Sequence, residues 1–509
     1  MHNHRFFGRN FMKNPFNLPT PAGWQTEQKE RKSYYLYFAG QNAIYYLVTN
    51  CLTPFLLLLG YETEKSIALT GILLAVKIWD AVNDAIFGVI FDSVKFKSGK
   101  KFIPWVKVST PLIAITTILI FIIPGSLSQT VQLAWLAIAY ILWDTAYTLC
   151  DVPIYGIITA MTENLDERTS MLSYKSIWSG VGMAITIVIS TLLPGEGIGL
   201  SYGIVALIVA AFAFATMMPA GKNLKERFTP NPDDEAFTIK SMVRYLFSNK
   251  YLLLYFLGYF FYSAANISGG LTQFVSYYLF GDSRLALVVQ ALGVVPSLVF
   301  ALLVPKMLRK FDKMRVYLVS AVATVVLSLI TWVVGYQSFG LYILLATLRS
   351  IPISIIGVIM FMFTPDCAEY GKFKSGVEAK GITFAIQTFM AKLTGAVSSV
   401  LGLFILGLKS SQWTPYTAKS FEELKSIGAT QPPHAMNVLW FCYIMVPAIG
   451  CLIAFVIWNF YALKDKDVQI MADCNTGKIT REEAFEKLSQ PYGCTLEIKK
   501  TVKSGEKAE

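Results

Sequence analysis

The stretch "KIWDAVNDAIFGVIFD", Lys77 to Asp92, lies inside an apolar run long enough to cross a membrane, yet it carries Lys77, Asp80, Asp84 and Asp92. Asp80, Asn83 and Asp84 are spaced i, i+3, i+4, so on an α-helix they share one stripe. An ionised carboxylate near the middle of a span costs about 3 kcal/mol or more, and two on one stripe also repel each other. The arrangement becomes tolerable if a cation sits between the oxygens, or if one carboxyl holds a proton with a raised pKa. Either way the stripe reads as a cation site on a transmembrane helix.

The rest of the composition agrees with a span here. Of 509 residues, 54% are hydrophobic and only 15% charged, against about 25% in ordinary soluble domains. The chain is therefore expected to be an all-α polytopic membrane protein. Its net charge of +11 is concentrated in short loops between apolar runs, which is the positive-inside pattern and points away from nucleic acid. The seven cysteines are scattered without a CxxC pair, so neither a disulfide framework nor a zinc site is expected.

Twelve apolar segments of spanning length lie near 34–60, 66–94, 103–124, 131–160, 169–194, 198–219, 250–280, 285–307, 315–336, 339–365, 381–408 and 437–463. The loops holding Lys95, Lys97, Lys100 and Lys101, and Lys306, Arg309, Lys310, Lys313 and Arg315, are expected to be cytoplasmic. "PGSLSQ", "PGEGIGLS" and "YQSFG" carry no Lys or Arg and are expected outside. The predicted organisation is a cytoplasmic tail over 1–33, a six-helix half over 34–220 and a central cytoplasmic loop over 221–249. A second six-helix half over 250–463 and a cytoplasmic tail over 464–509 follow. The expected location is a plasma membrane, such as a bacterial inner membrane, with both termini in the cytoplasm. In the last tail, "DCNTGKITREEAFEKL" has Ala484 where a calcium loop needs its twelfth-position Glu. It predicts a turn at Gly477 and a short helix with Thr480 and Glu483 as capping box.

Span four places Asp144, Tyr147, Thr148 and Asp151 on one stripe, and span eleven carries Gln387, Thr388 and Lys392. A lysine in a span needs a partner. For Lys77, three residues before Asp80, a local ion pair is the plain alternative to function. Asp92 is expected to brace the basic loop that follows, and Asp144 either bonds a neighbouring helix or joins the site.

At these residues the chain resembles the glycoside-pentoside-hexuronide:cation symporters of the major facilitator superfamily. The resemblance is carried by "IWDAVNDAIFG", "YTLCDVP", "PDCAEYGKFK" and "QTFMAKLTG", in order along the chain. It implies two six-helix halves and a cation site at Asp80, Asn83, Asp84 and Thr148, with Asp80 and Asp84 as metal ligands if the ion is sodium. Sugar contacts are implied at Asp151, Tyr155, Gln387, Thr388 and Lys392. Asn42 stands where melibiose permease has a second sugar-binding acid and is expected to bind substrate as well, its amide offering sugar hydroxyls a donor and an acceptor; Ser176 stands where the permease has an arginine, with Lys175 beside it in a gating or structural role. Galactoside specificity is therefore not expected.

The expected function is symport of a sugar or glycoside with a monovalent cation (sodium, lithium or a proton) by alternating access, with no cofactor. The alternatives are a cation-linked carrier of a lipid or other amphiphile, and a sugar receptor that does not transport. No HExxH, GxSxG or P-loop lysine motif occurs, and His2, His4 and His434 all lie outside the spans. The chain is not expected to be an enzyme.

Overall fold

The computed structural model describes residues 23–94, 96, 98–162, 164–227, 239–308, 310–360, 362–376 and 380–496. The side chains of Asp84 and Asp92 lie outside the described set, as do residues 1–22, 228–238 and 497–509.

The chain divides into two compact units, Met1–Glu235 with Thr414–Thr430, and Ala236–Trp413 with Gln431–Glu509. The first holds α1 (Gln28–Leu58), α2 (Thr63–Ser93), α3 (Ile103–Phe121), α4 (Gln129–Met161), α5 (Leu165–Leu192) and α6 (Tyr202–Asn223). The second begins with α7 (Ile239–Ser248), α8 (Lys250–Ala264), α9 (Ser268–Phe280), α10 (Leu285–Met307) and α11 (Lys313–Val334). It continues with α12 (Phe339–Met360), α13 (Phe363–Ser375) and α14 (Lys380–Gly407). The short α15 (Phe421–Ser426) belongs to the first unit, and α16 (Pro433–Trp458), α17 (Asp465–Asn475) and α18 (Arg481–Lys487) complete the second. Among the described residues, nine helical stretches are long and apolar enough to cross a membrane.

Two elements differ from the hydropathy reading. Helix α1 begins at Gln28, ahead of the apolar run at 34, because Glu27 and Glu30 close a capping box around its first turn. Arg31 stays inside that turn with Trp24 stacked on its guanidinium at 4.9 Å. The segment 250–280 is two helices, α8 and α9, broken at Ala265–Ile267. The freed backbone is served by neighbours, Ser398 donating to the Asn266 carbonyl at 2.7 Å, so the break keeps its polar groups satisfied.

In the first unit α1 packs along α5 and α6. A Cβ on Gly182 of α5 would overlap the Ala39 carbonyl of α1, so glycine is what lets these two helices approach closely enough to share a polar site. The ends are fastened by three consecutive residues after α6. Lys225 pairs with Glu27 at 2.5 Å, and Arg227 pairs with Glu30 at 2.7 Å. Between them, the Glu226 carboxylate accepts from the backbone N–H groups of Lys101, Phe102 and Ile103 at 2.6, 2.9 and 2.6 Å, capping the start of α3 where a negative charge suits the helix dipole.

The opposite end of the first unit is covered by 414–430, a segment that lies in sequence between α14 and α16 of the second unit. Ala418 N donates to Leu58 O and Phe421 N to Pro194 O, both at 2.8 Å, while Glu422 accepts from Gly197 N at 2.8 Å. Phe421 and Leu424 are buried there. Gly60 and Gly199, at φ +65° and +66°, run directly beneath this segment, and a Cβ on Gly199 would stand 2.8 Å from Glu422 Cβ.

In the second unit the C-terminal segment packs on α13. Arg481 donates to Phe373 O at 2.7 Å and Tyr370 to Tyr492 O at 3.1 Å. Asp467, buried, accepts from Ser489 N at 3.0 Å, from Ser489 Oγ and from the Tyr492 hydroxyl.

Candidate functional site

Three polar groupings lie among the spans of the first unit, and each pairs residues from different helices. The first joins α2 to α4. Asn83 is fully buried, and its Nδ2 donates to Thr148 Oγ1 at 2.9 Å. That bond fixes the amide, leaving Asn83 Oδ1 buried without a hydrogen-bond partner among the described residues. An orphaned acceptor of this kind costs about 1–3 kcal/mol, and buried polar atoms are almost always paired. Asn83 Oδ1 is an oxygen donor of the type that could hold a hard cation.

About two turns away on the same two helices, the Lys77 ammonium lies 5.3 Å over the Tyr140 ring, within electrostatic reach of Asp144 and Asp80. The sequence offers Lys77 as a local neutraliser of Asp80; the structure adds a neighbour across the helix gap, buried Asp144. A positive charge set between the acids of α2 and α4 lowers their repulsion. The Asp84 side chain, expected on the same stripe, lies outside the described residues.

The second grouping joins α1 to α4. Gln41, buried, donates from Nε2 to Asp151 Oδ1 at 2.7 Å. Its neighbour Asn42 donates instead to Phe38 O and to Ser179 Oγ, each at 3.0 Å. Sequence reasoning missed Gln41 although it stands beside Asn42, because without the helix phase nothing tells which of two adjacent amides faces α4. The third grouping joins α4 to α5. Lys175 Nζ donates to the Tyr155 hydroxyl at 2.7 Å and lies 4.2 Å from the Tyr155 ring centroid and 4.7 Å from that of Phe38. Phe38 and Tyr155 meet edge to face at 5.2 Å. Tyr155 is 43% exposed, so an aromatic face remains available to a ligand.

Gln387, Thr388 and Lys392 sit on α14 of the second unit. Gln387 Oε1 is another buried acceptor without a partner, and Thr388 one position on is exposed. The sites of the two units are each built on helices, which hold side chains more tightly than loops do.

These groupings, acids and amides shared between spans with aromatic faces beside them, are what a carrier of small polar solutes requires. A family model described as MFS/sugar transport protein matches residues 33–465. The chain belongs to this family. Within it, the chain is 28% identical over 414 residues to a protein of Bacillus subtilis (strain 168) named uncharacterized symporter YjmB, covering 79% of this chain and 86% of that protein. It is 25% identical over 434 residues to the isoprimeverose transporter of Lactiplantibacillus pentosus, covering 80% and 84%. Among solved structures it resembles the nucleoside transporter NupG, with a TM-score of 0.60 and 12% identity over 85% of this chain and 98% of that one. That likeness shows a major facilitator fold. The chain is thus a multi-pass membrane protein of the MFS/sugar transport family.

Proposed function

We propose that this family member is a symporter that carries a sugar or glycoside together with a monovalent cation, in a plasma membrane with both termini in the cytoplasm. The observation that carries the coupling is Asn83. Its amide nitrogen is tied to Thr148 and its oxygen is buried without a partner, on the stripe that holds Asp80 and Asp84. A carboxamide oxygen, a threonine oxygen and carboxylates make the all-oxygen set that sodium or lithium takes, and the carboxylates alone serve a proton. The sugar relation is supported by the family and by the name of the isoprimeverose transporter, and the coupling by the word symporter in the name of YjmB.

The two events are linked through charge. Binding a cation beside Asp80 removes net negative charge from the α2–α4 interface, which favours a sugar whose hydroxyls bond Asp151 on the same α4. By thermodynamic reciprocity the sugar raises cation affinity equally. Asp151, oriented by Gln41, accepts from hydroxyls, and Tyr155 offers its ring to the apolar face of the pyranose. Gln387, Thr388 and Lys392 on α14 keep their assignment as substrate-binding residues within this reading, and alternating access moves cation and sugar together.

Counterflow in proteoliposomes, run against a panel of glycosides and repeated with sodium, lithium and proton gradients, tests this reading. It expects exchange of at least one glycoside and acceleration by one cation. Exchange of amphiphiles with no glycoside exchanged would overturn it.

A further inference from the structure

Helix α3 starts beside a pocket that the polar groupings above do not use. The pocket measures about 450 Å³ and is lined by Phe96, Ser98 and Lys100 of the preceding loop and by Ile103, Pro104 and Lys107 of the helix. That is room for a phosphodiester headgroup. No acid lines it among the described residues. Among the same residues neither the Lys100 nor the Lys107 ammonium has a hydrogen-bond, ion-pair or ring partner, whereas Lys225 pairs with Glu27, and Lys313 with Asp366 and Asp465. Glu226, the acid at this helix start, is engaged by the backbone N–H groups of Lys101, Phe102 and Ile103. The dipole of the first turn is thereby answered, and the charge of the two lysines is not.

The place of the pocket along α3 says what chemistry fills it. Lys107 lies in the second turn, about 6 Å along the axis from Ile103. Its stem rests on Gly221 of α6, where a Cβ would stand 2.7 Å from Lys107 Cγ. The aliphatic part is therefore seated on protein while the charged end stays accessible. Phe96 packs edge to face on Trp105 at 5.2 Å, and tryptophan is a residue that membranes hold at headgroup level. Helix α3 packs on α4 and α6, and Val108, Leu112 and Ile115 are exposed along it. These three residues extend the site for about 10 Å along the helix, so a basic pocket continues into an apolar track. A soluble phosphate answers the charge alone. A lipid with an anionic headgroup answers both: its phosphate accepts from the two ammonium groups and the Ser98 hydroxyl, and its acyl chains cover the track.

We propose that this pocket binds an anionic phospholipid of the phosphatidylglycerol type, with Lys100 and Lys107 holding the phosphate. On the topology proposed above the lipid comes from the cytoplasmic leaflet. The site is separate from the polar groupings between the spans, and it stands whichever solute the carrier moves.

The test uses the purified full-length protein in dodecyl maltoside, titrated with dioleoyl phosphatidylglycerol or dioleoyl phosphatidylcholine, with bound lipid counted by native mass spectrometry. The two probes share their chains and differ in headgroup charge. One lysine near an anionic headgroup is worth about 5-fold in affinity, so the wild type is expected to prefer phosphatidylglycerol by about 10-fold or more. The preference is expected to fall toward unity in Lys100→Gln/Lys107→Gln and to survive in Lys100→Arg/Lys107→Arg. Lys419→Gln/Lys425→Gln removes equal charge from exposed positions of the 414–430 segment and is expected to keep the preference. Glycerol 1-phosphate is expected not to displace the bound lipid. Equal affinity of the wild type for the two lipids overturns the proposal, and so does a preference that survives Lys100→Gln/Lys107→Gln. An equal loss in the Lys419→Gln/Lys425→Gln variant overturns it in favour of diffuse surface charge. Displacement by glycerol 1-phosphate overturns it in favour of a soluble phosphate site.

Discussion

Replacing Asn83 by leucine, which has nearly the same shape, separates a residue kept for binding from one kept for stability. In a purely structural role, Asn83 is a tie between α2 and α4, worth the 2.9 Å bond to Thr148, about 0.5–1.5 kcal/mol. Against that stands the buried Oδ1 without a partner, a penalty of about 1–3 kcal/mol that leucine removes. The Thr148 hydroxyl released by the change can turn to a carbonyl of its own helix. The two terms nearly cancel, so Asn83→Leu is expected to leave stability unchanged or raised by about 1 kcal/mol. The cation response goes the other way. A ligand at 100 times its dissociation constant stabilises the native state by about 2.7 kcal/mol, and the variant has lost an oxygen that would receive it. The assay is thermal unfolding of purified protein with sodium or lithium titrated against choline, and with pH varied. The wild type is expected to melt higher as the coupling ion is added; Asn83→Leu is expected to start at or above the wild type and stay there. A variant that melts far below the wild type, or that keeps the full cation-induced rise, would refute the reasoning.

Other consequences follow from elements outside the site. Burial works to raise the Asp467 carboxyl, but hydrogen bonds from Ser489 and Tyr492 outweigh it and hold the group below the ordinary aspartate range. A depressed carboxyl contributes stability above its unfolded pKa and loses it as pH falls, so α17 and α18 are expected to stay docked down to about pH 4 and to loosen below it. Pepsin cleavage within the C-terminal segment, rising only in that window, checks this. Asp467→Asn should loosen the segment already at neutral pH, by about 2 kcal/mol, with faster alkylation of buried Cys494 as the readout. Gly199→Ala meets both a positive φ of +66° and Glu422, a cost of about 1–2 kcal/mol for the backbone alone. It is expected to detach the 414–430 segment, seen as labelling of Ala418→Cys, a position that is buried in the wild type. No change in labelling would mean that the segment is not held by that contact.

Much of this was legible in the sequence because it is written locally. Apolar run lengths locate the nine spans found among the described residues, out of twelve expected, and the i, i+3, i+4 spacing puts Asp80 and Asn83 on one side of α2, which the bond from Asn83 to Thr148 uses. The turn at Gly477, φ +75°, and the capping box of Thr480 with Glu483 are four-residue patterns and were foreseeable for the same reason. What was not legible is written at long range. Arg227 and Glu30 are 197 positions apart, and nothing in "GKNLKERF" distinguishes a loop that separates two halves from one that staples the first. The residues 414–430 likewise carry ordinary loop composition, and their place over Gly60 and Gly199 depends on the pairing of Ala418 with Leu58 and Phe421 with Pro194. Lys175 falls between the two cases: its place beside Ser176 is legible in the sequence, but the rings of Phe38 and Tyr155 that flank its ammonium are visible only in the structure.

The coupling claim is tested most directly by accumulation of glycoside in proteoliposomes under an imposed inward gradient of sodium, lithium or protons. Wild type is compared with Asp80→Asn and Asp84→Asn. The account predicts that one of these gradients drives the wild type to accumulate glycoside above the external concentration, and that neither variant accumulates it under any of them. Undiminished accumulation in both variants would contradict it.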